Sequence, residues 1–588
     1  MNTVTKHIHG GSIVGEVLAA HGVTCLYNLC GGHISPILQG AKMHGLRVVD
    51  VRDEVTAAFA ADAASRLTGI PGVCAVTAGP GVTNTVTAVK NAQEAQQPII
   101  VLGGATATVL RGRGSLQDID QLSLMKTVTK WATRCNKVGD LEPTLKKAFR
   151  VATEGVPGPV FVEIPVDVLY PKEIVAEWYV KETGVDKMKG PIGAAARFAM
   201  KGYLQHQFHM PKIEIPARPR LQSPLSPAVD SQLSQVARAV AGAEKPVLVI
   251  GNQSMVNLTV EGAEELAAAV TALGIPTFLG GSSRGLLGRT NGIQFRHKRT
   301  PALKEADVVI VAGFPFDFRL GYGLKINKNA TLISINLEAA ALKKNRRPTI
   351  AVKAHPGHFL TQLSSRVGAT GDLSGWFTTL RGREDARNAE IAASARPETE
   401  GGVDPIHLFM RIEEHLDDKS VLIVDGGDFV ATGSYIVKPR GPLCWLDPGV
   451  FGTLGVGGGF AVGAASVRPD HEIWLFYGDG SSAYSLAEFD TYVRSGYAPI
   501  AVIGTDASWQ QIARDQIKIL GDPVGTELLK TDYHVVAQGY GGHGILLTDP
   551  SKIDEVLAEA KALSAKGIPV CINVHLASSD FREGSMSI

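Results

Sequence analysis

Two acidic turns near the C-terminal end of the chain carry the first chemistry. In "HEIWLFYGDGSS" an apolar run stops at Gly478-Asp479-Gly480, and in "APIAVIGTDASW" another stops at Thr505-Asp506. One helical stretch, "SLAEFDTYVRSG", separates them, so the order is strand, acidic turn, helix, strand, acidic turn. Parallel strands joined in this way end on one edge of a sheet, where open α/β folds bind ligands. Two carboxylates there, with a backbone carbonyl, phosphate oxygens and water, would form a shell of hard donors suited to Mg2+. Glycine at 478 and 480 lets the backbone approach an anion closely. Aspartate after a strand serves equally well as a turn or helix-cap residue, so spacing alone leaves both roles open.

Further candidates lie far away in sequence. In "VVDVRDEVTAAFAADAASRLTG", Glu54 stands at a strand exit and helix start, where local amides favour a carboxylate. Gly79-Pro80-Gly81 makes a tight turn with Asn84 close behind it, "GSLQDIDQLSL" offers Gln117 and Gln121, and "GGHISP" offers His33, which changes charge near pH 7. In the last third of the chain, "DGGDFVATG" presents Gly427, Asp428 and Phe429 after an apolar run, and "GTLGVGGGFAVGAA" places Leu454 before a close-packed glycine helix.

Positioning these groups calls for several sheets, and 588 residues, 45% hydrophobic, can bury several cores. The runs "RVVDV", "GVCAVTA", "PIIVLGG" and "GPVFVEIP" alternate with helical stretches over residues 1–190. Residues 191–232, which include the proline-rich "MPKIEIPARPRLQSPLSPAVDS", read as a linker. "PVLVIGNQ", "GIPTFLGG", "ADVVIVAGFPFDF" and "ATLISINLE" define a central unit over 233–366, and a charged stretch over 367–402 reads as a second linker. "SVLIVDGGD", "HEIWLFYGDG", "IAVIGTD", "HGILL" and "IPVCINV" then mark a third unit over 403–588. The expectation is an α/β chain of three units, each with a parallel sheet flanked by helices, the first and third sharing a fold.

Lys and Arg total 58 against 57 Asp and Glu, a balance that provides no long-range field for nucleic acid or an anionic membrane. The six cysteines, at 25, 30, 74, 135, 444 and 571, show no CxxC or paired rhythm and favour buried thiols in a reducing compartment. Neither a signal-like apolar stretch nor an uninterrupted apolar span is evident, so a cytoplasmic protein without a membrane span is expected.

The acidic turns and the Glu54 segment together resemble the thiamine diphosphate enzymes of the acetolactate synthase-like superfamily, in which Gly-Asp-Gly is followed, one helix and one strand later, by a pair usually written Asn-Asn. The resemblance implies thiamine diphosphate held through Mg2+ by Asp479, Asp506 and the carbonyl of Ser508. Gly427, Asp428, Phe429, Gly478, Gly480 and Ser481 would surround the cofactor from the same unit. Thr505 stands where the family has the first Asn, and Asp506 where it has the second. Glu54 is the implied cofactor-activating carboxylate, bonded to N1′ of the aminopyrimidine. Gly79 and Asn84 would lie beside that ring, Leu454 would wedge between the two rings, and Gln117 and His33 would approach substrate. In this family the Glu54 unit of one subunit faces the Gly-Asp-Gly unit of another, which implies a homodimer or homotetramer.

Outside the cofactor motifs, "NLCGGHISPIL", "FLGGSSRGLLGR", "DFRLGYG", "TDYH" and "DFREGSMSI" resemble the 2-hydroxyacyl-CoA lyase branch. That branch implies cleavage of the C1–C2 bond of a 2-hydroxyacyl-CoA to formyl-CoA and a shortened aldehyde or ketone. In the central unit Arg284, Asp317 and Arg319 are candidate nucleotide contacts, for ADP or the CoA nucleotide in acyl-CoA-active relatives and for FAD in synthases. No complete GxGxxG occurs there, and ADP is expected ahead of FAD. Two alternatives stay open: an acetolactate synthase or 2-oxoacid decarboxylase sharing the cofactor motifs, and a non-catalytic thiamine-binding scaffold, to which Thr505-Asp506 points and against which Glu54 argues.

Overall fold

The computed structural model describes residues 9–209, 227–368 and 370–584. The strand runs are rich in Val, Ile and Leu without polar alternation, the pattern of strands covered on both faces. They assemble into three six-stranded sheets in which every pairing is parallel. Across the first sheet the strands run Arg47–Asp50, Cys25–Asn28, Gly72–Val76, Ile99–Ala105, Val160–Pro165 and Trp131–Arg134. Across the third they run Trp445–Leu446, Ser420–Asp425, Glu472–Gly478, Ile500–Thr505, Val570–His575 and His543–Leu547. Ranked along the chain, both sheets have the order 2-1-3-4-6-5, so the shared βα rhythm reflects a shared topology. The central sheet runs Ile350–Lys353, Thr331–Asn336, Val308–Ala312, Pro246–Ile250, Thr277–Leu279 and Gln294–Phe295, which read from the other edge is the doubly wound order 3-2-1-4-5-6.

The described residues make two compact units, 9–65 with 70–209, and 66–69 with 227–584. Thus the central and third sheets, separate in the sequence reading, belong to one unit. Buried guanidinium groups join them. Arg296 donates to the carbonyls of Ser434, Ile436 and Val437 at 3.1, 3.2 and 2.7 Å, and Arg284 donates to that of Ser434 at 3.2 Å.

Both expected linkers contain docked helices. Residues Gly190–Gln207 form a helix whose Leu204 packs with Val175 and Tyr179 and whose Gln207 donates to the Asp167 carbonyl at 3.2 Å, so it belongs with the first unit. Of the proline-rich segment, residues 210–226 lie outside the described residues, and Pro227–Ala241 is helical. In the second linker, Ser374–Ala393 is a helix that buries Trp376 and Leu380 in the central core. Its Glu384 accepts from the amides of Arg296 and His297 at 3.1 and 2.8 Å. Few apolar residues at helical spacing suffice when the neighbouring sheet covers them, which is why the charged remainder read as linker.

Because the strands are parallel, their C-terminal ends lie on one edge of each sheet, and the loops leaving that edge carry His33, Glu54, Gly79 and Gln117 in the first sheet and Gly427, Asp479 and Asp506 in the third. An aromatic cluster fixes the third sheet beneath its edge: Phe409, fully buried, packs its ring 4.6 Å from that of Phe429 and 5.5 Å from that of Phe476. Truncating Phe409 to Ala is expected to destabilise this unit by about 3–5 kcal/mol, measured as a lower midpoint in denaturant unfolding.

Candidate active site

Glu54 begins the helix Glu54–Thr68 and is 7% exposed. Asn84 Nδ2 donates to Glu54 Oε2 at 3.0 Å, which makes Asn84 a partner of the carboxylate. Gly81 crosses over the other oxygen: a Cβ there would stand 3.4 Å from Glu54 Oε1 and 2.9 Å from Thr77 Cγ2. Thr77 also contacts the next candidate, its Oγ1 lying 3.1 Å from His33 Nδ1. Burial holds the His33 imidazole below its ordinary pKa, so the neutral ring is the form present at pH 7. Thr77 had no signal in sequence beyond its place after a strand; only the fold sets it between Glu54 and His33.

Gly79 has φ of +64° and presses on the backbone of Gln117, whose carbonyl oxygen would stand 3.0 Å from a Cβ. Gln117 is half-buried, with its own φ at +62°, and lines a small cavity with Thr108, Arg111 and Arg134. Gln121 has a structural task instead. It accepts from the Gly79 amide at 3.0 Å and donates to the Gly104 carbonyl at 2.7 Å, tying the loop to a strand.

In the third sheet Asp479 is 3% exposed, and its two oxygens accept from the amides of Gly480 at 2.7 Å and Ala507 at 2.8 Å. Asp506, half-buried, accepts from the Ser508 amide at 3.1 Å. Between them Ala507 adopts φ of +59°, a left-handed conformation that a residue bearing Cβ holds only when its surroundings impose it. Those surroundings are the segment that folds back over the turn: Leu528 N donates to the Ala507 carbonyl at 2.8 Å and Trp509 N to the Thr526 carbonyl at 2.8 Å. This ladder leaves the Ser508 carbonyl out of its bonds. Burial raises both acids. Asp506 is pushed up to about 7 by desolvation and then by the neighbouring Asp479 charge, and Asp479 rises through desolvation against the pull of its amide donors. Two desolvated acids close enough for one charge to raise the other fit a hard divalent cation that completes its shell with ligand oxygens. Among the described residues no group of three His, Cys, Asp or Glu side chains forms a cage without such a ligand.

The neighbouring glycines are required by packing. A Cβ on Gly480 would stand 2.4 Å from the Trp509 ring, and one on Gly427 2.7 Å from Gln511 Oε1. Ser481 Oγ donates to the carbonyls of Asp425 at 2.6 Å and Gly478 at 3.0 Å, so its hydroxyl holds two strand ends together. Two further sequence candidates have partners within the fold. Asp428 is paired with Arg514, and the Phe429 ring, 5% exposed, packs on Gly504 and Phe409 in the core. A residue that sequence reasoning missed lies near them: Asp425, fully buried, accepts from the amides of Gly455 at 3.2 Å and Gly457 at 2.8 Å. It thereby anchors the loop that presents Leu454, which is half-buried. Its position as the last residue of "SVLIVD" was the available signal.

Comparison with known proteins agrees with this geometry. The chain matches the thiamine pyrophosphate enzyme N-terminal TPP binding domain over residues 8–124, the central domain over 233–363 and the C-terminal TPP binding domain over 425–574. The chain belongs to the thiamine pyrophosphate enzyme family. Over 586 residues it is 44% identical to 2-hydroxyacyl-CoA lyase 2 of Danio rerio, covering 99% of this chain and 93% of that one. It is likewise 44% identical to 2-hydroxyacyl-CoA lyase 2 of Homo sapiens, covering 99% and 92%. A probable acetolactate synthase of Mycobacterium bovis is 31% identical over 574 residues, covering 96% and 95%.

In this thiamine pyrophosphate enzyme the second unit also holds a cavity of about 520 Å³. Arg284, Arg296, Lys298, Arg299 and Arg387 line it together with Tyr435, and none of its lining residues is acidic. Desolvation lowers Arg296 to about 10, with Arg284 adding to the effect, and lowers His297 to about 4. Of the three central candidates only Arg284 reaches this cavity. Asp317 and Arg319 pair with each other, Nη2 to Oδ2 at 2.6 Å, and the guanidinium lies 4.9 Å from the Phe314 ring centroid. The basic run "FRHKRTP" was the sequence signal for Arg296, Lys298 and Arg299.

Asp425 supplies a pH test of the Leu454 anchor. Desolvation raises its folded-state pKa to about 7, above an ordinary carboxyl near ~3.9, so between these values the folded chain holds the extra proton. Its contribution to stability therefore falls as pH rises through that window and is level above it. Asp425→Asn is expected to remove this slope, seen as the difference between parent and variant in denaturant unfolding from pH 5 to 8.

Proposed function

We propose that the protein is a 2-hydroxyacyl-CoA lyase, dependent on thiamine diphosphate and Mg2+, that cleaves the C1–C2 bond to formyl-CoA and a carbonyl compound one carbon shorter, reversibly enough to permit carboligation. The observation that carries this reading is the 44% identity to 2-hydroxyacyl-CoA lyases along nearly the whole chain, against 31% to acetolactate synthases.

When bound, thiamine diphosphate supplies the nucleophilic carbon and the electron sink for carbon–carbon cleavage. Asp479, Asp506 and the Ser508 carbonyl would hold Mg2+, and the backbone of Gly478–Ser481 would face the diphosphate. Glu54, buried and steadied by Asn84, would hold the aminopyrimidine through a charge-assisted bond. Leu454 would set the angle between the two rings. Neutral His33, engaged at Nδ1 by Thr77, has its other nitrogen to accept the proton of the substrate hydroxyl, with Gln117 beside the Gly79 loop as the second polar contact. The arginine-lined cavity suits nucleotide phosphates, of ADP or of CoA, better than a neutral flavin ring.

A homodimer or homotetramer is the proposed active form. The helix Gln510–Leu520 and the residues after it, directly beyond the metal turn, expose Ile519 at 70%, Val524 at 72% and Leu529 at 80%, an apolar surface suited to a second subunit. A cytoplasmic location is proposed from the cysteines, which are all free and of which five are buried. Among the described residues no helix is long and apolar enough to cross a membrane.

Incubated with Mg2+ and thiamine diphosphate, the protein should convert a 2-hydroxyacyl-CoA to formyl-CoA and the shortened carbonyl product, identified by mass spectrometry. Acetolactate from pyruvate with no thioester cleavage would replace the lyase with the synthase, and bound cofactor with neither turnover would favour a scaffold. Changing Glu54 to Gln keeps size and removes charge. Cofactor binding by calorimetry should change little, while exchange of the thiazolium C2 hydrogen and turnover should fall by about a hundredfold or more.

A further inference from the structure

The family's first Asn is Thr here, and Thr505 does not point at the acidic pair. It is fully buried, and its Oγ1 donates to Asn573 Oδ1 at 2.6 Å. Asn573, also fully buried on the adjacent strand Val570–His575, passes the link on: its Nδ2 donates to the Thr531 carbonyl at 3.0 Å and lies 3.3 Å from His534 Nδ1. In parallel register Thr505 pairs with His575, two residues beyond Asn573, so the two side chains share a face. Thr531 and His534 belong to the "TDYH" stretch, whose Tyr533 lies close enough to feel the Asp479 charge. Upstream, the same segment makes the ladder over Ala507 and Trp509, and Ser508 Oγ donates to the Thr526 carbonyl at 3.2 Å.

Residues 526–534 therefore grip the acidic turn at both ends, on one side through backbone bonds to 507–509 and on the other through Asn573 to Thr505. We infer that Asn573 is a positioning residue for the metal turn: through Thr505 and the 526–534 strap it sets the separation and aim of Asp506 and the Ser508 carbonyl. Ala507 in its left-handed conformation has no intrinsic reason to stay there, and a strap fixed at only one end would let the turn relax. The departure from Asn at 505 is then compensated by an Asn one strand away. A hydroxyl on Thr505 needs a buried acceptor, and Asn573 both accepts from it and still has an amide to reach the strap.

The inference rests on Asp479 and Asp506 as metal ligands, so the parent protein is its first control. Mg2+ titrated by calorimetry into parent saturated with thiamine diphosphate must show a saturable site; absence of one overturns the metal reading and the positioning role with it. Given that site, Thr505→Val, which keeps shape and loses the hydroxyl, should weaken Mg2+ binding by about tenfold, while Thr505→Ser should restore the parental value. Asn573→Leu should weaken it similarly, and the double variant should be no worse than either single one, because both break the same link. Amide exchange over 526–534 should accelerate in Thr505→Val and not in Thr505→Ser. Parental Mg2+ affinity in folded Thr505→Val, or equal loss in Thr505→Ser, would overturn the proposal, and circular dichroism of each variant distinguishes these results from unfolding.

Discussion

Burial of paired carboxylates at a sheet edge is the constraint on which the third unit depends. Asp479 and Asp506 are desolvated, close enough for the charge of Asp479 to raise Asp506, and have backbone amides as their donors. Such an arrangement is costly in an isolated chain, since each charge disfavours the other in a medium of low dielectric. It persists because the strands beneath are buried along almost all of their length and the loop above is latched by two backbone bonds, which hold the acids at the edge.

The same economy governs the first unit with different chemistry. A single carboxylate, Glu54, is buried at a helix start, and its oxygens are approached by an amide from Asn84 on one side and by a glycine on the other. His33 sits nearby through Thr77, so one hydroxyl residue connects the two halves of that constellation. Close backbone approach is needed at Gly79, which must take positive φ, and at Gly81, where a side chain would strike Thr77. In both sheets, then, a few rigid backbone contacts hold one or two charged groups where water is scarce, which is the condition under which fixed charges act most strongly on a ligand.

The arginine-lined cavity is a third expression of the constraint, with opposite sign. Arg284 and Arg296 are buried and satisfied in part by carbonyls, and their protonated forms are weakened by desolvation. A polyanion would relieve that penalty. These guanidinium groups also join the central and third sheets, so the lining of the cavity and the cohesion of the second unit draw on the same side chains.

The sequence by itself determined the α/β class, the three sheets and the resemblance to thiamine diphosphate enzymes, and it singled out Glu54, Asp479 and Asp506 as candidate carboxylates at strand ends. These are legible because strands buried on both faces are written as continuous apolar runs, and because Gly-Asp-Gly after such a run is a local pattern. Tertiary structure alone decided the rest. Asp428 and Phe429 stand out in "DGGDF" as cofactor candidates, and the fold adds partners the pattern does not show, Arg514 for Asp428 and the Phe409 ring for Phe429, while Asp425, three positions before Asp428, anchors the Leu454 loop. Residues 374–393 look like a charged linker and are a docked helix, since only the sheet beside them shows which four side chains are covered. Thr505 looks like a defect in a motif until Asn573 is brought beside it by strand pairing. Local pattern fixes what a residue can do, but a partner distant in the chain fixes what it does, because hydrogen bonds and burial depend on neighbours that only the folded chain supplies.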